Sequence, residues 1–224
     1  MVDENLTDEQ QAEIVRNWFR ENGTFIFGGI GLGLLALFGW NQWQNFAVGE
    51  AESAAALYES IVAELPAGDP ELAGALLDQL EVEYKGSPYL DQARFILAKN
   101  ALDQNDFEAA ANYLEAVVDS GSSDEAALIA KSRLARVRLH LGMHDSALGA
   151  LEEVDESSAF AARFSEIRGD VYLAMGRPDD ARAEYDLALA DTHQPPVIDR
   201  AYVQAKRDSL GEPDSAQVAA EVAE

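Results

Sequence analysis

The stretch GDVYLAMGRPDDARAEYDLA (Gly169–Ala188) places a turn glycine, a small residue and an aromatic at offsets of 7, 12 and 16 from its first glycine. The same order recurs upstream. Ala98, Asn105, Ala110 and Leu114 form one copy, and Ala135, Gly142, Ala147 and Leu151 form a second. Each copy predicts two helices joined by a tight turn. The paired small residues let two backbones approach, the turn residue joins the two helices, and the large residue packs between copies.

The second small residues, Ala110, Ala147 and Ala181, are 37 and 34 residues apart, bracketing the tetratricopeptide period. Nothing from Ala51 to about Leu210 reads as strand, so the expected fold is all-α: a tetratricopeptide-like helical solenoid preceded by one transmembrane helix. Upstream, 51–65 and 70–84 predict a further helix pair around Pro66-Ala67-Gly68-Asp69. Downstream, Pro195-Pro196 breaks the pattern and 197–210 predicts a helix that covers the apolar face of the last repeat. Arg94 and Lys131 stand where the first helix of a repeat usually begins with an aromatic. Residues 211–224, with Pro213, four acids and no aromatic, predict a disordered acidic tail.

Between Glu21 and Glu50 the chain has no charged residue, although its net charge is −25. At about 1.5 Å per residue, the 24–43 stretch is long enough to cross a hydrocarbon core about 30 Å thick. Trp40 and Trp43 close the run, where indoles favour the headgroup layer. Arg16 and Arg20 precede it and no Lys or Arg follows until Lys85, which predicts a cytoplasmic N-terminus and a periplasmic repeat domain. A cleaved signal peptide, with Ala47-Val48-Gly49 as its processing site, is the competing reading. It fits poorly, because residues 1–23 hold six acids against two arginines.

The expected organisation is therefore a cytoplasmic segment over 1–23, a transmembrane helix over 24–43, a periplasmic repeat domain over 44–210 and the tail over 211–224. In the cytoplasmic segment, Thr7 and Gln10 have capping-box spacing. Ile14, Val15, Trp18 and Phe19 then share one helical stripe that should end at Asn22-Gly23. Gly29 and Gly33 are a small-xxx-small pair, candidates for contact with another membrane helix.

A cytoplasmic helix ending WFREN-G (Trp18 to Gly23), a glycine-rich span closing in GWNQW (Gly39 to Trp43), RLARVRL (Arg133 to Leu139) and RGDVYLAMG (Arg168 to Gly176) occur in that order. In order and spacing, over nearly the whole chain, this resembles the YfgM family, the ancillary subunit of the SecYEG translocon. The resemblance implies a protein of the inner membrane that accompanies the translocon and the periplasmic chaperone PpiD and helps secreted proteins on to periplasmic chaperones. The heavier acidity and the acidic tail depart from the family pattern.

Enzymatic chemistry finds no support. There is no Cys, no phosphate-binding glycine loop and no Ser-His-Asp neighbourhood. His140 and His144 have i, i+4 spacing, yet Gly142 lies between them at the expected helix end. No metal, cofactor or small-molecule substrate is expected. With 41 acidic against 16 basic residues, the chain is unsuited to nucleic acid.

Binding remains. Stacked helix pairs leave a concave face lined by the first helix of each pair, suited to peptides. Lys131, Arg133, Arg136 and Arg138 crowd one such helix. By alignment Lys99 and Arg136 face the concave side, with Phe95, Leu102, Leu139 and Leu173 nearby; these six are the candidate peptide groove. The opposing expectation is that the bases pair with acids of adjacent helices. A signalling scaffold is the alternative function, in which the cytoplasmic residues sequester a response regulator and the repeats sense the state of the envelope. Deleting residues 2–20 separates the two readings.

Overall fold

The computed structural model describes residues 8–67, 70–152 and 158–211. Thr7 of the expected capping box, Gly68 and Asp69, and the tail beyond Gly211 lie outside them. The chain divides into two compact units, residues 1–53 and 54–224.

The first unit is helical from Asp8, the start of α1 (Asp8–Ala67). Phe25, Leu32, Leu35 and Phe38 are each more than 70% exposed there, so this apolar run does not belong to a globular core. It is the one described helix long and apolar enough to cross a membrane. The expected stop at Asn22-Gly23 is absent, as is a break between 43 and 51: α1 runs through both. Asn22 does not cap; its amide donates back to the Trp18 carbonyl at 3.0 Å, and Gly23 stays out of the left-handed region that ends helices.

The second unit begins with the end of α1, which packs with α2 (Pro70–Glu83) around Ala54, Ile61, Ala73, Leu77 and Leu80. Three pairs follow. They are α3 (Pro88–Asp103) with α4 (Phe107–Ser120), α5 (Asp124–His140) with α6 (His144–Gly149), and α7 (Phe160–Ala174) with α8 (Pro178–Ala190). Side-chain caps fix several starts: Ser87 accepts from Tyr89, Asp106 from Ala109 and Ser123 from Ala126.

All three turns within these pairs close alike. Asn105, Gly142 and Gly176 take φ of 60°, 73° and 72°. The amide three residues past each helix donates to the carbonyl five residues back: Asp106 to Ala101 at 2.8 Å, Met143 to Arg138 at 2.9 Å, Arg177 to Tyr172 at 2.9 Å. This is the Schellman closure, which explains why a glycine or asparagine recurs at one register of the repeat. The aligned small residues Ala98, Ala135 and Gly169, and their partners Ala110, Ala147 and Ala181, are all buried. So are Leu114, Leu151 and Tyr185, the large residues expected between repeats.

Two expected helices are shorter than expected. The capping helix α9 (Arg200–Asp208) starts only after Asp199, whose carboxylate accepts from the Tyr202 amide at 3.1 Å. Its Val203, with Ile198, still covers the last repeat at Ala162, Ala181, Tyr185 and Ala188. Helix α6 ends at Gly149, so Leu151 fills its core position from a turn instead of from a helix. Gly149 is a poor helix former, and the sequence Glu152, Glu153, Asp155, Glu156 would put acids at a helix C-terminus, where the dipole opposes them.

Candidate functional site

The first helices of the three pairs, α3, α5 and α7, carry the candidate groove residues at matching registers. Phe95 and Leu102 of α3 are half-buried against a core that includes Ala98, Leu114, Leu134 and Val137. Arg133 of α5 lies over the Phe95 ring, its guanidinium carbon 4.6 Å from the centroid, a cation–π contact across the repeat boundary. Leu139 is half-buried and Leu173 is 42% exposed, and neither belongs to a hydrophobic cluster of the described residues. The structure thus joins Phe95 and Leu102 and leaves Leu139 and Leu173 apart from them.

The two basic positions differ in kind. Lys99 is two-thirds exposed and pairs at 2.6 Å with Asp103 of its own helix. Such a surface pair contributes about 0.3 to 0.5 kcal/mol. Arg136 is half-exposed, but its guanidinium lies 3.5 Å from Glu166, a carboxylate only 4% exposed. The same register on α7 holds an acid, Asp170. The basic stripe therefore extends over the first two pairs and changes sign at the third.

Where it changes sign, charges are concentrated. Glu166 receives Arg163 at 2.8 Å and Lys206 of α9 at 3.2 Å in addition to Arg136, so cations from three helices meet on one buried acid. Lys206 also reaches Asp170 at 2.8 Å, and the Tyr185 hydroxyl donates to Asp170 at 2.8 Å. Burial, then that hydrogen bond and the neighbouring acids, push the Tyr185 phenol well above its usual range. Arg138 pairs with Glu115 of α4 and donates to the Ser146 carbonyl. Arg136 and Arg138 pair with acids of neighbouring helices, whereas Arg133 engages the Phe95 ring.

A second buried cluster escaped the sequence reading. Arg94, taken there only as a departure from the repeat pattern, is 6% exposed. It donates to Glu81 of α2 at 2.9 and 3.2 Å, and to the Ala116 carbonyl and Ser120 hydroxyl of α4, both at 3.1 Å. Its neighbour Asp91, also buried, accepts from the Ser122 amide at 2.7 Å and hydroxyl at 2.6 Å. An Arg at a core register with an Asp three residues earlier was the available signal. The ring of His140 lies 4.0 Å from that of Phe107, so this histidine packs beside the turn it precedes. Gly29 and Gly33 lie on α1 with nothing within 4 Å of where a Cβ would project.

Residues 16–212 match the Tetratricopeptide repeat-like domain family. Among curated relatives, the "Ancillary SecYEG translocon subunit" of Escherichia coli strain K12 is 30% identical over 81% of this chain and 87% of its own length. The protein of that name from Neisseria gonorrhoeae is 29% identical over 92% of this chain and 98% of its own. A solved structure of BtubC (BKLC) from P. vanneervenii, 19% identical, covers 72% of this chain and 81% of its own, with a TM-score of 0.49. The shared length takes in both the apolar helix and the repeats, and the chain belongs to the YfgM family of ancillary SecYEG translocon subunits.

Proposed function

We propose that this chain is a non-enzymatic accessory subunit of the Sec translocon in the inner membrane, with residues 24–43 in the bilayer, 1–23 cytoplasmic and 44–210 periplasmic. The repeats bind a periplasmic chaperone of the PpiD kind and help hand over secreted proteins. One observation carries the reading: a largely exposed apolar helical run and a tetratricopeptide-like array occur in one chain whose relatives of matching length are named for the translocon. Arg16 and Arg20, without a basic residue after the span until Lys85, support the orientation. Protease added to spheroplasts should digest the repeats and leave an N-terminal epitope shielded. Full protection of the chain, or release of a soluble form beginning near Glu50, would contradict it.

Within the repeats, the concave face bearing Phe95, Lys99, Leu102, Arg136, Leu139 and Leu173 is the proposed peptide contact, gripping carboxylates through Lys99 and Arg136. The structure separates the two bases as probes. Lys99→Glu should leave thermal melting within about a degree, because the pair it breaks is a surface one. It should weaken chaperone capture in pull-downs through a lost charge-assisted bond of about 1.5 to 3 kcal/mol. Arg136→Glu should lower the melting temperature as well, since it sets a new carboxylate against buried Glu166. Unaltered capture by a well-folded Lys99→Glu chain would remove Lys99 from the contact.

A further inference from the structure

The three second helices of the pairs start in register, each three residues before its small residue at Ala110, Ala147 or Ala181. They do not end in register. Helix α4 has 14 residues and α8 has 13, whereas α6 stops after 6. A cleft of about 700 Å³ opens beside the truncated helix, between α6, α7 and α8. Its apolar wall includes Leu148, Leu151, Ala162 and Leu187, and Leu187 is 60% exposed. A pocket of this size suits several side chains of a bound segment.

The polar groups of the cleft have one sign to spare. Arg168 is already committed: it pairs with Glu184 at 3.0 Å and donates to the Ser165 hydroxyl at 2.9 Å. Glu152 and Asp191 also line the cleft and carry negative charge. The Asp191 side chain is 11% exposed. His193 engages its Oδ1, and Arg200, which donates to the Asp191 backbone carbonyl at 2.8 Å, adds a positive charge nearby; Oδ2 is buried and accepts no hydrogen bond among the described residues. The bond from His193, against the opposite pull of burial, holds the Asp191 carboxyl below the usual carboxylate range, so it is ionised at neutral pH. A buried carboxylate oxygen without a donor is costly, and a turn of the Asp191 side chain toward the cleft would let a ligand cation supply one.

We propose that this cleft is a second interaction site, separate from the concave face, and that it takes an apolar peptide segment bearing a lysine or arginine, with leucine-like side chains against Leu148, Leu151 and Leu187 and the cation on Asp191. The two faces of the array thus select opposite charges: the concave stripe takes carboxylates, the α6 cleft takes cations. This extends the proposed function by a partner chemistry and does not depend on the translocon being the partner.

The test uses the full chain in phosphatidylcholine nanodiscs, with empty nanodiscs as the blank. The probe is a fluorescein-labelled 12-residue peptide with leucines at i, i+3, i+4 and i+7 and three lysines. Its Lys→Glu counterpart and a scrambled peptide of the same composition accompany it. The lysine peptide should bind at least about tenfold more tightly than either. Leu187→Arg, at an exposed position that leaves melting unchanged, should weaken it by about tenfold. Asp191→Asn should narrow the preference for lysine over glutamate. Equal binding of the lysine and scrambled peptides would show only attraction to an acidic chain and would overturn the site. So would equal binding of the lysine and glutamate peptides, or undiminished binding by Leu187→Arg. If Asp191→Asn does not fold, the peptide comparison and Leu187→Arg still decide. No translocon or chaperone is in the assay, so its failure would leave the proposed function to the spheroplast and capture experiments.

Discussion

Arg94→Met is expected to destabilise the repeat domain by about 3 to 5 kcal/mol, the cost of leaving a buried charge without its partner. Arg94 bridges α2, α3 and α4 through Glu81, Asp91, Ala116 and Ser120. Methionine keeps most of the aliphatic volume, so the loss isolates charge and hydrogen bonding from packing. Asp91 is left buried, with only its Ser122 donors to stabilise it. For a domain of this size the melting temperature should fall by on the order of 10 °C. Circular dichroism of the full chain reads this directly. Glu81→Gln, at a partner 40% exposed, should cost much less. Adding Asp91→Leu to Arg94→Met should recover part of the loss, since a buried ion pair replaced on both sides by apolar groups is often tolerated. A fall of only a degree or two for Arg94→Met would mean that water reaches this cluster.

Gly169→Val is the second large effect. A Cβ on Gly169 would lie 2.5 and 2.7 Å from two ring atoms of Tyr185. That ring is fully buried and held by its hydroxyl bond to Asp170, so it has no free end to swing aside. Overpacking of this kind costs about 1 to 3 kcal/mol, and more where the neighbour cannot yield. Gly74→Ala in α2 is the matched control. Nothing lies within 4 Å of its added methyl, and it should stabilise by about 0.4 to 1 kcal/mol through a less flexible unfolded chain. Similar melting temperatures for the two variants would refute the close approach of α7 and α8.

These two sites also show which parts of the structure could be read from sequence. Gly169 was legible because backbone geometry forces it. The tightest crossing and the left-handed turns at Asn105, Gly142 and Gly176 admit few residue types, so they recur at one register. The apolar span was legible for a similar reason, since the bilayer constrains composition along a whole helix. The fate of Arg94 was not legible. Apart from Asp91, its partners lie 13 to 26 residues away, and only the folded array brings them together. Helix ends were the weakest reading. Asn22-Gly23 has the composition of a stop, yet the local preference of two residues does not outweigh a continuous helix. Gly149 and the acids after it did end α6, where a repeat-based alignment extends the helix to Leu151 and beyond. The basic residues 131–138 lie on one helix, α5, but Glu166, the buried acid on which Arg136, Arg163 and Lys206 converge, was not paired with them in advance.

The central claim, that this chain works beside the translocon, is tested most directly by photocrosslinking in intact membranes. A photoreactive residue is placed at Gly29 or Gly33 in the span and, separately, at Lys99 on the repeats, with crosslinked partners identified by mass spectrometry. The account predicts a translocon subunit crosslinked from the span and a periplasmic chaperone from position 99. Well-expressed, membrane-inserted chains that yield neither partner would contradict it.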